Sequence, residues 1–84
     1  MSDSSLHITL NHLAEGDSAW ITDIAVSEEL GRRLTAMGLN IGRQVRVLRR
    51  AAFNGPLHLR TGNTELMMRL PDAQRIHITR VTTQ

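Results

Sequence analysis

After residue 43 the chain falls into four short runs, "QVRVLRR", "PLHLR", "TELMMRL" and "RIHITRV", separated by "NG" before Pro56, by "TGN" and by "PDAQ". Alternation at a period of two between clusters of Gly, Pro, Asn and Asp is the pattern of half-buried strands joined by tight turns. Within each run, Val45, Val47, Leu57, Leu59, Leu66, Met68, Leu70, Ile76 and Ile78 take the positions of one face, and Arg46, His58, Arg60, Arg69 and His77 those of the other. Four such runs in succession predict an antiparallel meander with one apolar face. The alternation fails at Leu48, Met67 and Val81, where a bulge, a strand buried on both sides or an exposed apolar spot is expected.

The first half supplies what that sheet needs to close a core. "SAWITDIAV" is rich in β-branched and aromatic residues and predicts a strand from Ser18 to Ile24, with Ala19 and Ile21 inward and Trp20 outward. Ser27 is a good N-cap, and Glu28 and Glu29 suit the first turn of a helix. Leu30, Leu34 and Met37 then form one apolar stripe, with Glu28–Arg32 and Glu29–Arg33 as outward pairs. Gly31 weakens the helix interior by up to about 1 kcal/mol. "LTAMGL" reads as the stop: Met37 is the C-cap, Gly38 follows at C′, and Leu39 packs back on Leu34. Asn40 to Arg43 make a tight turn with Gly42 where a positive φ is required.

Near the N-terminus, Leu10, Leu13 and Gly16 predict a short helical turn over about 10–14 that lids the core, with Thr9 as its cap and Gly16 as its stop. Residues 1–5 are read as a frayed terminus and 6–82 as a single domain. The fold class is therefore mainly β: a small, partly open, SH3-like antiparallel barrel of five to six strands with one inserted helix over about 27–37. Gly16, Gly38, Gly42 and Gly55 are its expected structural turn positions.

Composition removes most function classes. A chain of 84 residues has room for one modest core and not for a second lobe around a catalytic cleft. Cysteine is absent, which excludes a disulfide framework and a thiolate metal cage and fits a reducing compartment. "MSDSSLHITL" has no basic, apolar leader pattern, and no run of about 18 apolar residues is present, so a cytoplasmic chain without direct membrane insertion is expected. All ten basic residues are arginine, but eight acids leave a net charge of only +2. With one Trp and one Phe, that charge is a weak footprint for nucleic acid, and none is expected as a partner. Steep salt dependence of DNA or RNA binding would be the sign of the opposite.

No catalytic constellation survives inspection. "GLNIG" lacks the Lys-Ser/Thr pair of a phosphate loop and lies between helix and strand in the wrong order. Ser18 and Ser27 have no nucleophile-elbow context, and Glu28 and Glu29 are explained as helix N-terminal acids. The four histidines, His7, His12, His58 and His77, lack convincing ligand spacing, so no cofactor is required, and a loose surface site for zinc or a similar divalent ion is the most they suggest. Arg32 points away from the apolar stripe, and Arg33 flanks it with its stem along the core edge. Met37, Met67 and Met68 read as packing, and Trp20 as the better interface anchor.

The order of these signals resembles the FeoA family, the small ferrous iron transport protein A of bacteria. The resemblance rests on "L-x-x-L-x-x-G" at Leu10, Leu13 and Gly16, "A-W-I-x-x-I" from Ala19, and "RL-x-x-MGL-x-x-G" from Arg33 to Gly42, the most specific run. "V-x-V" at Val45 and Val47, "NGPLHL" from Asn54 and "A-x-x-I-x-I" from Ala73 complete it. Two positions depart: Ile41 stands where the family usually has Pro, and Leu66 to Met68 are bulkier than usual. The resemblance implies a non-enzymatic accessory of the membrane ferrous iron transporter FeoB, which carries a cytoplasmic GTPase portion. Arg33, Met37, Gly38, Leu39 and Ile41 are the expected contacts, with Trp20 as a second candidate, because helix ends and loops on a rigid barrel are where binding residues sit. A homodimer through sheet edges stays open. The alternatives are an SH3-like regulatory module related to the C-terminal domain of metal-dependent repressors, and a nucleic-acid-binding small barrel.

Overall fold

The computed structural model describes residues 7–81. The expected frayed terminus, Leu6 and Thr82 lie outside them. The order is β1 (His7–Thr9), a 3-10 turn (Leu10–His12), β2 (Ser18–Ile24), α1 (Glu28–Ala36), β3 (Gln44–Arg50), β4 (Leu57–Thr61), β5 (Thr64–Met68), α2 (Leu70–Ala73) and β6 (Ile76–Arg80). Six strands form one antiparallel sheet in the order β1-β6-β2-β3-β4-β5, a partly open barrel with α1 inserted between β2 and β3. β1 and β5 are its edges among the described residues.

The expected meander holds for β3, β4 and β5 and then breaks. β6 pairs with β2 and β1 instead of β5. The cause is "PDAQ", expected as a plain turn after a strand that reached Leu70: Pro71 stands in the first turn of a helix, where its missing N–H costs nothing, so β5 ends at Met68 and Leu70 opens α2 instead of closing the strand. This one helical turn packs against Leu10–His12 and delivers the chain to the far side of the sheet. Of the three alternation failures, Leu48 sits at a register shift between Val47 and Arg49, and Met67 is an exposed apolar spot on β5.

The core takes alternate residues from β2 to β6, Leu10 and Leu13 from the N-terminal segment, and Leu34 and Leu39 from α1 and its stop. Burying one such leucine is worth roughly 2–3 kcal/mol, which is how a chain of this size holds a fold without staples. The expected helical turn is present but shorter, ending in Leu13, and β1 before it was not anticipated. Thr9 does not cap it; its hydroxyl meets the Asn11 and His12 side chains. The segment is latched by Arg50, whose Nη1 donates to the Asn11 and Leu13 carbonyls at 2.9 and 2.6 Å, while its backbone N–H donates to Glu15 at 2.9 Å.

Candidate docking surface

The site is built on the end of α1. Ser27 caps the helix by accepting from the Leu30 N–H at 3.2 Å, with Glu28 and Glu29 in the first turn. The expected Glu28–Arg32 and Glu29–Arg33 pairs do not form; the ion pairs among the described residues are His58–Glu65 and Arg69–Asp72. Exposed pairs at this spacing gain too little to order two long side chains. At the other end the Leu39 N–H donates to the Leu34 carbonyl at 2.9 Å and the Gly38 N–H to Thr35 at 3.0 Å. This double closure requires a left-handed C′ residue, and Gly38 adopts φ +95°. The Arg43 N–H then donates to Asn40 at 3.0 Å with Gly42 at φ +90°, and Gly42 and Ile21 join the turn to β2.

This corner fixes what is exposed. Met37 and Ile41 are 41% and 62% accessible, whereas Leu39 between them is fully buried. Leu39 is therefore not a contact residue, correcting that expectation: its side chain closes the core, and an aspartate there would report on folding. Gly38 is half-buried and contributes backbone, its carbonyl lying 3.4 Å from the Thr61 hydroxyl, which also donates to Gln44 at 3.1 Å. Met37 departs from the expected apolar stripe too, since only Leu34 of the helix is buried and Leu30 is intermediate.

Two grooves flank α1. One, of about 480 Å³, runs between the helix and β5–α2 and is lined by Leu30, Arg33, Met37, Met67, Arg69 and Asp72 among others. The other, of about 780 Å³, lies between the helix and the end of β2 and is lined by Ile24, Val26, Gly31, Thr35, Ala36 and Ile41, with Glu28 and Arg32 as its charged members. The expected contacts are thus divided: Arg33 and Met37 border the first groove and Ile41 the second. Trp20 lines neither. It projects 46% accessible from the outer face of β2, in register with Gln44 on β3 and Thr79 on β6.

Among the described side chains the histidines do not converge. β2 and β3 separate β4 from β6, so His58 and His77 are not neighbours. His58 Nε2 is 2.9 Å from Glu65 Oε1, His77 stands in register with Asp23 and Thr9, and His7 with Thr79. His12 Nδ1 lies 3.3 Å from the Thr9 hydroxyl. Among the described residues no three His, Cys, Asp or Glu side chains form a metal-ligand group, and no helix is long and apolar enough to cross a membrane.

Two residues escaped the sequence reading. Thr61 is the buried polar bridge from β4 to the helix stop, indistinguishable in sequence from any strand-end threonine. Phe53 is fully exposed at the β3–β4 loop tip with φ 58°, and the signal was an apolar residue directly before "NG". Gly55, expected as a turn glycine, does not adopt a positive φ; Phe53 and Asn54 do. A Cβ on Gly55 would lie 2.7 Å from the Ala51 Cβ, so close approach is what demands glycine there.

Comparison with known proteins agrees with this architecture. The FeoA protein of Chlorobium tepidum superposes with a TM-score of 0.86 at 30% identity, over 92% of this chain and 73% of that one. FeoA of Stenotrophomonas maltophilia complexed with zinc, described as a procaryotic SH3 domain protein, gives a TM-score of 0.73 at 25% identity, over 84% of this chain and 88% of that one. A manganese-dependent transcriptional repressor gives 0.79 at 21% identity over 89% of this chain and 42% of its own length, which shows a shared fold alone. No curated protein sequence matches. The FeoA domain model matches residues 8–80, nearly all of the described barrel, and the chain belongs to the FeoA family.

Proposed function

We propose that this chain is a non-enzymatic cytoplasmic accessory of bacterial ferrous iron uptake that acts by docking on the cytoplasmic, GTPase-bearing portion of the transporter FeoB. The observation that carries the reading is the exposed pair Met37 and Ile41, held on a rigid corner between two grooves in a chain of the FeoA family. The backbone bonds of the stop fix the main chain beneath these side chains, so binding has to order the side chains but not the loop that carries them. Arg33 supplies a charge beside Met37 and Trp20 a second candidate anchor on another face. No metal is required by this mechanism, and zinc reported with the Stenotrophomonas maltophilia relative is compatible with a loose divalent site at surface histidines.

Binding of labelled protein to nanodiscs carrying the cognate FeoB tests the reading, with nucleotide-free, GDP and GTP-analogue states compared. Saturable binding weakened about tenfold or more by Met37→Asp or Ile41→Asp in a folded chain is expected for central apolar contacts. Iron transport unaffected by removal of the protein, or binding indifferent to both variants, would sink it. The second reading, a regulatory module acting on a soluble partner with the fold it shares with the repressor, gains if no transporter state binds.

A further inference from the structure

One corner of the outer sheet face collects positive charge that nothing in the described chain neutralises. Arg46 on β3 stands directly opposite Arg60 on β4, and both side chains are exposed. Like charges in that position repel. Arg60 Nε donates to the Gly62 carbonyl at 3.3 Å, and Arg43 Nη2 lies 3.4 Å from where a Cβ on Gly62 would be. Three guanidinium groups therefore gather around one hairpin end, with Ser18 and Gln44 lining the shallow depression between Arg46 and Arg60. Glu65, in register with Arg60 on β5, engages His58 at 2.9 Å, and among the described residues no carboxylate is within ion-pair range of the three arginines.

Trp20 belongs to the same corner. It is in register with Gln44, one pleat along from the Ser18–Arg46 pair, which places the indole diagonal to Arg46. A soluble phosphate held between the guanidinium groups would leave this half-exposed indole in water. A bilayer interface takes both, since tryptophan is favoured at the level of the headgroups and arginine is attracted to anionic lipid.

We propose that this corner, Trp20 with Arg43, Arg46 and Arg60, is a peripheral binding surface for anionic phospholipid. It adjoins the α1 corner through Arg43, but lipid binding there does not depend on transporter docking at Met37 and Ile41. The surface would hold the barrel against the membrane with the arginines on lipid phosphates and the indole among the headgroups, without insertion of any helix.

The test uses the whole chain and vesicles of phosphatidylcholine with and without a third of phosphatidylglycerol, read by co-sedimentation and by the emission of Trp20, the single tryptophan. Partition onto the anionic vesicles is expected to be stronger by roughly a hundredfold at low salt, about fivefold per arginine, with a blue shift of the emission. Both effects fade as salt is raised. Arg46→Glu with Arg60→Glu should abolish the preference while circular dichroism shows the fold retained. Arg75→Glu, a charge change at the exposed α2–β6 corner, should alter partition by less than about twofold at moderate salt. Equal partition onto both vesicle types, or equal loss from Arg75→Glu, overturns the proposal. So does displacement by soluble glycerol phosphate, which would mark a small-anion site, or the same blue shift with polyglutamate, which would mark an acidic protein surface. Because the vesicles carry no transporter, failure here leaves the docking reading intact, and Met37→Asp and Ile41→Asp should still bind lipid.

Discussion

The Leu34–Arg43 corner and the Ala51–Pro56 loop both turn the chain through left-handed backbone, and they do it with opposite chemistry. At the first, glycine occupies both left-handed positions, Gly38 and Gly42, and the residue between them that carries the fold, Leu39, is fully buried. At the second, Phe53 and Asn54 adopt φ 58° and 60°, and Phe53 is bare of contacts with solvent all round. The first corner is relaxed and cemented to the core. The second stores backbone strain of about 1–2 kcal/mol at a non-glycine residue for no packing return. Rigidity at the first suits a docking site; the second is a hairpin end tolerated because its base is closed by the Ala51 N–H to Pro56 carbonyl bond at 3.1 Å.

The sharpest way to break this contrast is at Leu39. Leu39→Asp should leave no folded protein under ordinary conditions, because an isolated carboxylate would replace a fully buried side chain. Leu39→Ala, milder, should cost about 2–5 kcal/mol by cavity formation, measured by denaturant melts. Two positions away, Ile41→Asp should change stability by less than about 0.5 kcal/mol, since an exposed side chain has little to lose. Next in size, Gly55→Ala should cost about 1–3 kcal/mol: its Cβ meets the Ala51 Cβ, an atom that cannot swing aside. Gly38→Ala meets only ordinary contact with Thr61 Cγ2 at 3.7 Å, so its cost is the backbone conformation alone, about 1–2 kcal/mol. A Gly38→Ala loss no larger than that of an ordinary surface substitution would show that the stop is not held left-handed in solution.

How far the two regions were legible in sequence follows the same division. The helix stop was readable because its motif is local: Gly at C′, an apolar residue at C″ and a partner at C3 lie within six residues. The docking role assigned to Leu39 failed for the same reason, since the motif that places the side chain also buries it. The β3–β4 loop was misread at Gly55 because "NG" usually supplies both left-handed residues of a two-residue turn. Here Pro56 follows, and a residue before proline is driven to extended backbone, so the turn moves back by one onto Phe53 and Asn54, with the Gly55 N–H donating to Ala52 at 3.1 Å. Long-range facts were the least legible. That β6 returns to β2 and that Arg50 latches the N-terminal segment depend on strand order, and that Arg46 faces Arg60 depends on the register of β3 against β4; period-two alternation encodes neither.

The smallest expected effects separate strain from sequence habit within the loop. Phe53→Gly removes a side chain that touches nothing and gives the left-handed position to the residue that adopts it freely, while the unfolded chain gains entropy that partly offsets the relief. The balance is a stabilisation of about 0.5–1 kcal/mol, visible as a higher denaturant midpoint with an unchanged slope. Asn54→Gly should gain less than about 0.5 kcal/mol, because asparagine already tolerates this region through local hydrogen bonding of its side chain. If Phe53→Gly destabilises instead, the phenyl ring must find a partner in solution, and the loop would join the α1 corner as a surface built to be covered.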